Sequence, residues 1–134
     1  PSLLKEIIRR RLVDYVALDV KAPLIEEKYQ KAIGLENGVE ISERVRGSID
    51  LILNSNEIDY EFRTTVAPGL LNHEDLLLIA KELKGAKKYY LQQFKQTQTH
   101  VDPRYSTLDP YPREMLEKVR RSISKYFGDC RVRG

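Results

Sequence analysis

Along the chain, apolar residues alternate between helical spacing and short runs with strand character. The helical spacing predicts four helices, over Leu3–Arg11, Ile41–Leu53, His73–Leu83 and Arg113–Phe127. The β-branched and aromatic runs predict four strands, at Tyr15–Val20, Tyr60–Val66, Lys88–Phe94 and Cys130–Val132. A clear period is absent from Glu26–Gly38, where we predict a loop that can include a helical turn, and from Gln96–Pro112, where we predict an irregular stretch. Strands that alternate with helices indicate an α/β fold with a parallel sheet and right-handed crossovers.

An internal repeat marks the ends of the first two strands. A triplet of an aliphatic residue, Asp and Tyr occurs twice, and each copy is followed at the same offset by Ala-Pro, in the segments Val13 to Pro23 and Ile58 to Pro68. Proline cannot donate to a strand ladder, so each Ala-Pro is a natural strand end. In parallel βα architectures the chemistry lies at the carboxyl ends of the strands, and the residues just before each Ala-Pro are therefore the first candidates for a site.

Charged side chains occupy these strand ends. Side chains alternate across a strand, so the apolar set of each strand is expected to face the helices. The opposite, concave side then receives Asp19 and Lys21 from the first strand, and Glu61 and Arg63 with Thr65 from the second. Two acids and two bases are costly to bury unless they are paired, which favours a charged ligand as their partner. A set of mutual ion pairs that only closes the fold is the alternative.

The third strand ends in two glutamines, Gln92 and Gln93. Their side-chain amides both donate and accept hydrogen bonds, which suits a heterocycle or a ribose. One of the two is equally well explained as a residue that faces solvent at the strand end.

Composition narrows the class of protein. The 134 residues are 41% apolar and 32% charged with a net charge of +3, which is typical of one folded domain, here taken as residues 1–134, and not of a disordered chain. Basic and acidic residues are interleaved, which argues against nucleic acid as a partner. No apolar run approaches membrane-span length, and the single Cys130 excludes both a disulfide framework and a multi-cysteine metal site. We expect a cytoplasmic location.

Three linked segments resemble a known enzyme family. Asp19 to Pro23, Phe62 to Gly69 and Tyr89 to Phe94, in this order and spacing, resemble the later strands of radical S-adenosylmethionine activases. The likeness is greatest to the activating proteins of anaerobic ribonucleoside-triphosphate reductase and of pyruvate formate-lyase. The resemblance implies a partial (βα)6 TIM-like barrel, a 4Fe–4S cluster held by a Cys-x3-Cys-x2-Cys motif, and S-adenosylmethionine as cofactor. It also implies two partners, a glycyl-radical enzyme from which a glycine hydrogen is removed and an electron donor.

The resemblance also assigns roles to individual residues. Asp19 and Lys21 correspond to positions near the methionyl end of the cofactor, and Arg63 with Thr65 to positions near its carboxylate and ribose. Gln92 corresponds to a position beside the adenine. These residue types suit the ligand, because the α-carboxylate and α-ammonium groups need partners of both signs and arginine binds carboxylate with a bidentate fork.

The chain departs from the family pattern in its cysteines and in its start. It has no Cys-x3-Cys-x2-Cys motif, and the family's glycine-rich segment for the cofactor's amino group is missing. It opens with a helix directly before a strand, as a βα unit without its strand. We therefore expect the C-terminal fragment of an activase, inactive alone, with no cofactor bound. Two alternatives are a cluster-less half-barrel that binds a protein or small molecule and another radical S-adenosylmethionine branch. An exposed sheet edge at Tyr15–Val20 predicts a homodimer.

Overall fold

The computed structural model describes residues 2–33, 41–55, 58–94 and 110–134. The helices are α1 (Ser2–Arg9), α2 (Glu26–Ile33), α3 (Ile41–Leu53), α4 (His73–Glu82) and α5 (Arg113–Ile123), the last followed by a 3-10 turn at Ser124–Tyr126. The strands are β1 (Tyr15–Asp19), β2 (Asp59–Val66), β3 (Lys88–Gln93) and β4 (Asp129–Arg133). Each strand lies within one residue of its predicted bounds. Most of the predicted irregular stretch Gln96–Pro112 lies outside the described residues.

The four strands form one parallel sheet in the order β1-β2-β3-β4. All three neighbouring pairs are parallel, so all four carboxyl ends lie along the same edge of the sheet. The expectation of an α/β fold with a parallel sheet and helices between its strands is confirmed. The half-barrel curvature stays a prediction.

Among the residues that the structure describes, the hydrophobic core lies on one face of the sheet. From Tyr60 onward, β2 alternates between fully buried side chains and partly exposed polar ones, with Glu61 as the one buried exception on the polar side. The core combines the apolar positions of the strands with the inner faces of α3, α4 and α5, and its largest fully buried members include Phe62, Tyr89, Leu91, Ile52, Leu76, Ile79, Leu116 and Ile123. The opposite, polar face is called the open face below.

The prediction of a loop over Glu26–Gly38 is wrong for its first part, since α2 occupies Glu26–Ile33. Its helical structure depends on distant contacts that local periodicity does not show. Tyr29 is 3% exposed and packs into the core, and the carboxylate of Glu26 accepts the Ser42 backbone N–H at 3.2 Å. Lys28 forms an ion pair of 2.6 Å with Asp75. Residues 34–40 lie outside the described part of the chain.

The ends of two helices also differ from the prediction. The first helix stops at Arg9 rather than Arg11, and Arg11 adopts a left-handed φ of 55°, which interrupts the helix. The last helix stops at Ile123, and Ser124–Tyr126 continues as a tighter 3-10 turn, a common form of helix end.

Candidate functional site

The five residues predicted to form a site come together at the carboxyl edge of the open face. Asp19 at the end of β1 stands opposite Arg63 of β2 in the strand register. Thr65 stands opposite Gln92 of β3, two residues further along β2. Lys21 follows β1, and its Nζ lies 3.0 Å from Oδ2 of Asp19. The parallel register is what gathers these positions, since it aligns residues from three distant segments along one edge.

Two groups in this cluster have no partner among the described residues. Oδ1 of Asp19 is buried and accepts no hydrogen bond from the part of the chain that the structure describes. Among the described residues, the guanidinium group of Arg63 makes no hydrogen bond or ion pair, although Asp19 is its register neighbour. A buried carboxylate oxygen without a donor is costly, and a partner for it is expected. The edge therefore presents a hydrogen-bond acceptor next to a cationic donor, both without a partner in the described ranges.

The two glutamines of β3 have different surroundings. Nε2 of Gln93 donates to the backbone oxygen of Tyr111 at 3.0 Å, which ties the strand end to the segment before α5. Gln92 lies on the open face, between Thr65 and Arg133 in the register. The amide of Gln93 therefore holds the backbone instead of facing solvent, and the ligand role of Gln92 stays a prediction.

The amino-terminal half of the open face is closed by its own contacts. Glu61 is 7% exposed, and it accepts hydrogen bonds from the Tyr15 hydroxyl at 2.7 Å and from the Arg133 guanidinium at 3.2 Å. That guanidinium also stacks on the ring of Tyr90, with its Cζ atom 3.6 Å from the ring centroid. Glu61, predicted as a concave charge, is thus a fully partnered residue. Sequence reasoning missed Tyr15 and Arg133, because neither stands opposite Glu61 in the strand register and their long side chains reach it across the open face.

Ion pairs at the strand starts extend this closed region. Nζ of Lys88 lies 2.9 Å from Oδ2 of Asp59, and this hydrogen bond is the main reason that the pKa of Asp59 falls below its ordinary value. The Tyr90 hydroxyl donates to Asp129 at 3.0 Å. Mutual pairing therefore explains the charges at the beginnings of the strands. It does not explain Arg63 and the inner oxygen of Asp19.

Cys130 is a core residue rather than a nucleophile. It is 9% exposed, and burial raises the pKa of its thiol to about 11. At pH 8 the thiol is protonated, and thiols react as thiolates. We predict that iodoacetamide modifies Cys130 at least about tenfold more slowly in the folded protein than in denaturant, as measured by peptide mass spectrometry. Equal rates in the two conditions would contradict the buried placement of β4.

Metal-ligating side chains do not cluster in the described residues. These residues contain no group of three or more His, Cys, Asp or Glu side chains that could hold a metal ion. Within the same ranges, the helices are all too short or too polar to cross a membrane. His100 lies outside the described ranges, and His73 is exposed at the start of α4.

A cavity of about 520 Å³ lies apart from the carboxyl edge, between α1 and α3. Lys5, Ile8, Asp50 and Leu51 are among its lining residues. None of the five predicted site residues contributes to it. We therefore place the candidate site at the strand ends, where Oδ1 of Asp19 and the Arg63 guanidinium have no partner among the described residues.

Comparison with known proteins found a similar archaeal protein. Over 99% of its length the chain is 33% identical to a protein of Methanocaldococcus jannaschii named "Putative glycyl-radical enzyme activating enzyme". The chain spans 54% of that relative's length, about half of it. No family model matches the chain, and no solved structure matches it.

Proposed function

We propose that the chain is the carboxyl-terminal part of the catalytic barrel of a radical S-adenosylmethionine activase that acts on a glycyl-radical enzyme. The observation that carries the proposal is the juxtaposition of Asp19 and Arg63 at the carboxyl edge of a sheet with one polar face. The likeness to an archaeal protein named for the same activity supports it. The sequential strand order, with helices covering one face, is compatible with a segment of a barrel.

The chemistry of Asp19 and Arg63 suits the methionyl end of S-adenosylmethionine. That end carries an α-ammonium and an α-carboxylate group on the same carbon. Oδ1 of Asp19 is an unpartnered acceptor for the ammonium group, and Arg63 is a cationic fork for the carboxylate. A zwitterion satisfies both groups at once, whereas a simple anion or cation satisfies only one.

The neighbouring register pair suits the nucleoside part of the cofactor. Thr65 offers a hydroxyl group for the ribose, and Gln92 offers an amide that pairs with a heterocycle edge. When bound to a reduced 4Fe–4S cluster, S-adenosylmethionine supplies one-electron cleavage chemistry. The residues of this chain do not fit the cluster itself, because it has one cysteine where three are required. The proposal therefore assigns the cluster to a part of the polypeptide outside residues 1–134.

Anaerobic ribonucleoside-triphosphate reductase is the target that we favour. The support is the resemblance of Asp19 to Pro23, Phe62 to Gly69 and Tyr89 to Phe94 to the activating proteins of that system. We also propose that the full-length gene product requires an electron donor as a second partner. Formation of a glycyl radical on this reductase, and not on pyruvate formate-lyase, in paired assays with the full-length gene product is the outcome that separates the two targets.

The test of the cofactor site is calorimetric titration of the full-length gene product with S-adenosylmethionine. Replacing Arg63 by alanine is expected to raise the dissociation constant roughly tenfold, because one charge-assisted hydrogen bond is lost. Asp19→Asn is expected to weaken binding to a similar degree, since the ammonium group loses an anionic partner. The titration is paired with a measurement of 5′-deoxyadenosine release.

Arg131→Ala is the matched control. Arg131 is an exposed arginine on the same face, two strands away, and it pairs with Asp129. Its removal is expected to leave the dissociation constant unchanged. If the Arg63 and Asp19 variants bind S-adenosylmethionine as tightly as the wild type, the observation that carries the activase proposal is removed. If the wild type does not bind S-adenosylmethionine, the alternative of a binding module for another ligand replaces the proposal.

A further inference from the structure

The peptide unit that joins Val20 to Lys21 is held by side chains at both of its polar groups. The last sheet hydrogen bond of this edge runs from the Val20 N–H to the Arg63 carbonyl at 2.8 Å. Beyond it, the Val20 carbonyl accepts from the Thr64 hydroxyl at 2.7 Å. The N–H of the same peptide unit, on Lys21, donates to the phenol oxygen of Tyr29 at 3.3 Å. The chain thus leaves the sheet with one peptide unit fixed between α2 and β2.

A second hydroxyl stands behind Thr64. The hydroxyl of Tyr89 lies 2.7 Å from Oγ1 of Thr64. A carbonyl oxygen can only accept, so the Thr64 hydroxyl donates its single proton to the Val20 carbonyl. The Tyr89 phenol must therefore be the donor to Thr64. Burial raises the pKa of the Tyr89 phenol, which keeps this donor protonated. The result is a proton-ordered chain from β3 through β2 to the end of β1.

All of these hydroxyl groups belong to buried residues. Thr64 and Tyr89 are 0% exposed, and Tyr29 is 3% exposed. The core-facing position of Thr64 interrupts an apolar alternation that otherwise runs Tyr60, Phe62 and Val66. A buried hydroxyl group is tolerated where it has a partner, and valine of nearly the same shape would fill this position without any hydrogen bond. The hydrogen bond to the Val20 carbonyl thus explains why this core position is threonine and not valine.

We propose that Tyr29, Thr64 and Tyr89 are positioning residues that set the spacing of the Asp19 carboxylate and the Lys21 ammonium group for the ligand. The two side-chain hydrogen bonds to the Val20–Lys21 peptide unit are called the clamp below. This peptide unit lies between Asp19 and Lys21, so its rotation displaces Lys21 relative to Asp19. The inference rests on the proposed function, because it assumes that Asp19 and Lys21 serve the cofactor site. It adds that the site is pre-organised from the hydrophobic side of the sheet.

The variants Thr64→Val and Tyr29→Phe each remove one of the two hydrogen bonds of the clamp and keep the shape of the side chain. Each is expected to accelerate amide hydrogen exchange at Lys21 about fivefold, the effect of losing one ordinary hydrogen bond. Each is also expected to raise the dissociation constant of S-adenosylmethionine about fivefold in the full-length gene product. Tyr89→Phe should add little in the Thr64→Val background, since both act through one chain. Thr64→Ser keeps the hydroxyl group and should restore both values.

Tyr60→Phe is the matched control. Tyr60 is 2% exposed, and its phenol oxygen accepts the Lys87 backbone N–H at 3.1 Å, at the far end of the sheet. It loses the same kind of bond as Tyr29→Phe, so it is expected to lower stability without changing exchange at Lys21 or affinity. Thermal unfolding of each variant shows that the comparison is made between folded proteins.

Three results overturn the inference, and they differ in what they say about the proposed function. Unchanged exchange at Lys21 in both clamp variants shows that no clamp exists. Faster exchange with unchanged affinity, while Asp19→Asn and Arg63→Ala still weaken binding, removes the positioning role and leaves the proposed function standing. Unchanged affinity in Asp19→Asn and Arg63→Ala removes the observation that carries the proposed function, and the positioning role with it.

Discussion

Replacing Phe62 by alanine is expected to lower the free energy of unfolding by about 3–5 kcal/mol. Phe62 is 0% exposed in the middle of β2, and its ring lies 5.4 Å from that of Tyr60. The substitution removes buried apolar surface and leaves a cavity where β2 meets the helices, and a close-packed interior relaxes only partly around such a space. Denaturant titration followed by circular dichroism measures the change.

Leu78→Ala is the control for this effect. Leu78 is a large apolar residue on α4, but it is 40% exposed. Its truncation is expected to change the free energy of unfolding by less than about 0.5 kcal/mol, as is usual for surface substitutions. A Phe62 variant that loses less than about 1 kcal/mol, well short of the usual cost of truncating a core phenylalanine, would show that the helices do not cover this face.

Replacing Asp75 by alanine is expected to cost about 2–3 kcal/mol, from a lost helix cap and a lost charged hydrogen bond. Asp75 and Asn72 form a capping box, in which Oδ2 of Asp75 accepts the Asn72 N–H at 3.1 Å and Oδ1 of Asn72 accepts the Asp75 N–H at 2.8 Å. The second carboxylate oxygen of Asp75 binds Lys28 of α2 at 2.6 Å. One 6%-exposed carboxylate therefore serves two helices.

Glu74→Ala separates these specific contacts from the helix dipole. Glu74 is the neighbouring acid in the same first turn, and it is exposed. Its loss is expected to cost less than about 1 kcal/mol, the usual size of a dipole interaction. The double variant Asp75→Ala with Lys28→Ala isolates the ion pair by a mutant cycle. Equal losses for Glu74→Ala and Asp75→Ala would show that the capping box and the ion pair do not stabilise the fold.

The sequence predicted the strands well because their signals are local. Aromatic and β-branched runs bounded by Ala-Pro mark β1 and β2, and the alternation within each run separates the core side from the open side. The parallel direction of the strands then follows from the strand-helix alternation, and it brings the strand ends to one edge. Neither step requires knowledge of distant contacts. The pairing of Asp19 with Arg63 and of Thr65 with Gln92 is known from the structure alone.

What the sequence did not predict depends on contacts between distant segments. The helix α2 is polar in composition, and Tyr29, Glu26 and Lys28 stabilise it through residues far along the chain. The same holds for the partners of Glu61. Thr64 did leave a local signal, a hydroxyl group within an apolar alternation, but its partners Val20 and Tyr89 lie on other strands.

Neighbouring residues along β2 have different roles, because alternate side chains face the core and the open face. Tyr60, Phe62 and Val66 supply packing, whereas Arg63 and Thr65 face outward and take little part in the core. A gene can therefore accumulate changes at the outward positions, and so acquire a new ligand, while the inward positions keep the protein folded. Thr64 is the exception: it is an inward residue whose hydroxyl group holds the end of β1, so the two kinds of change are coupled there.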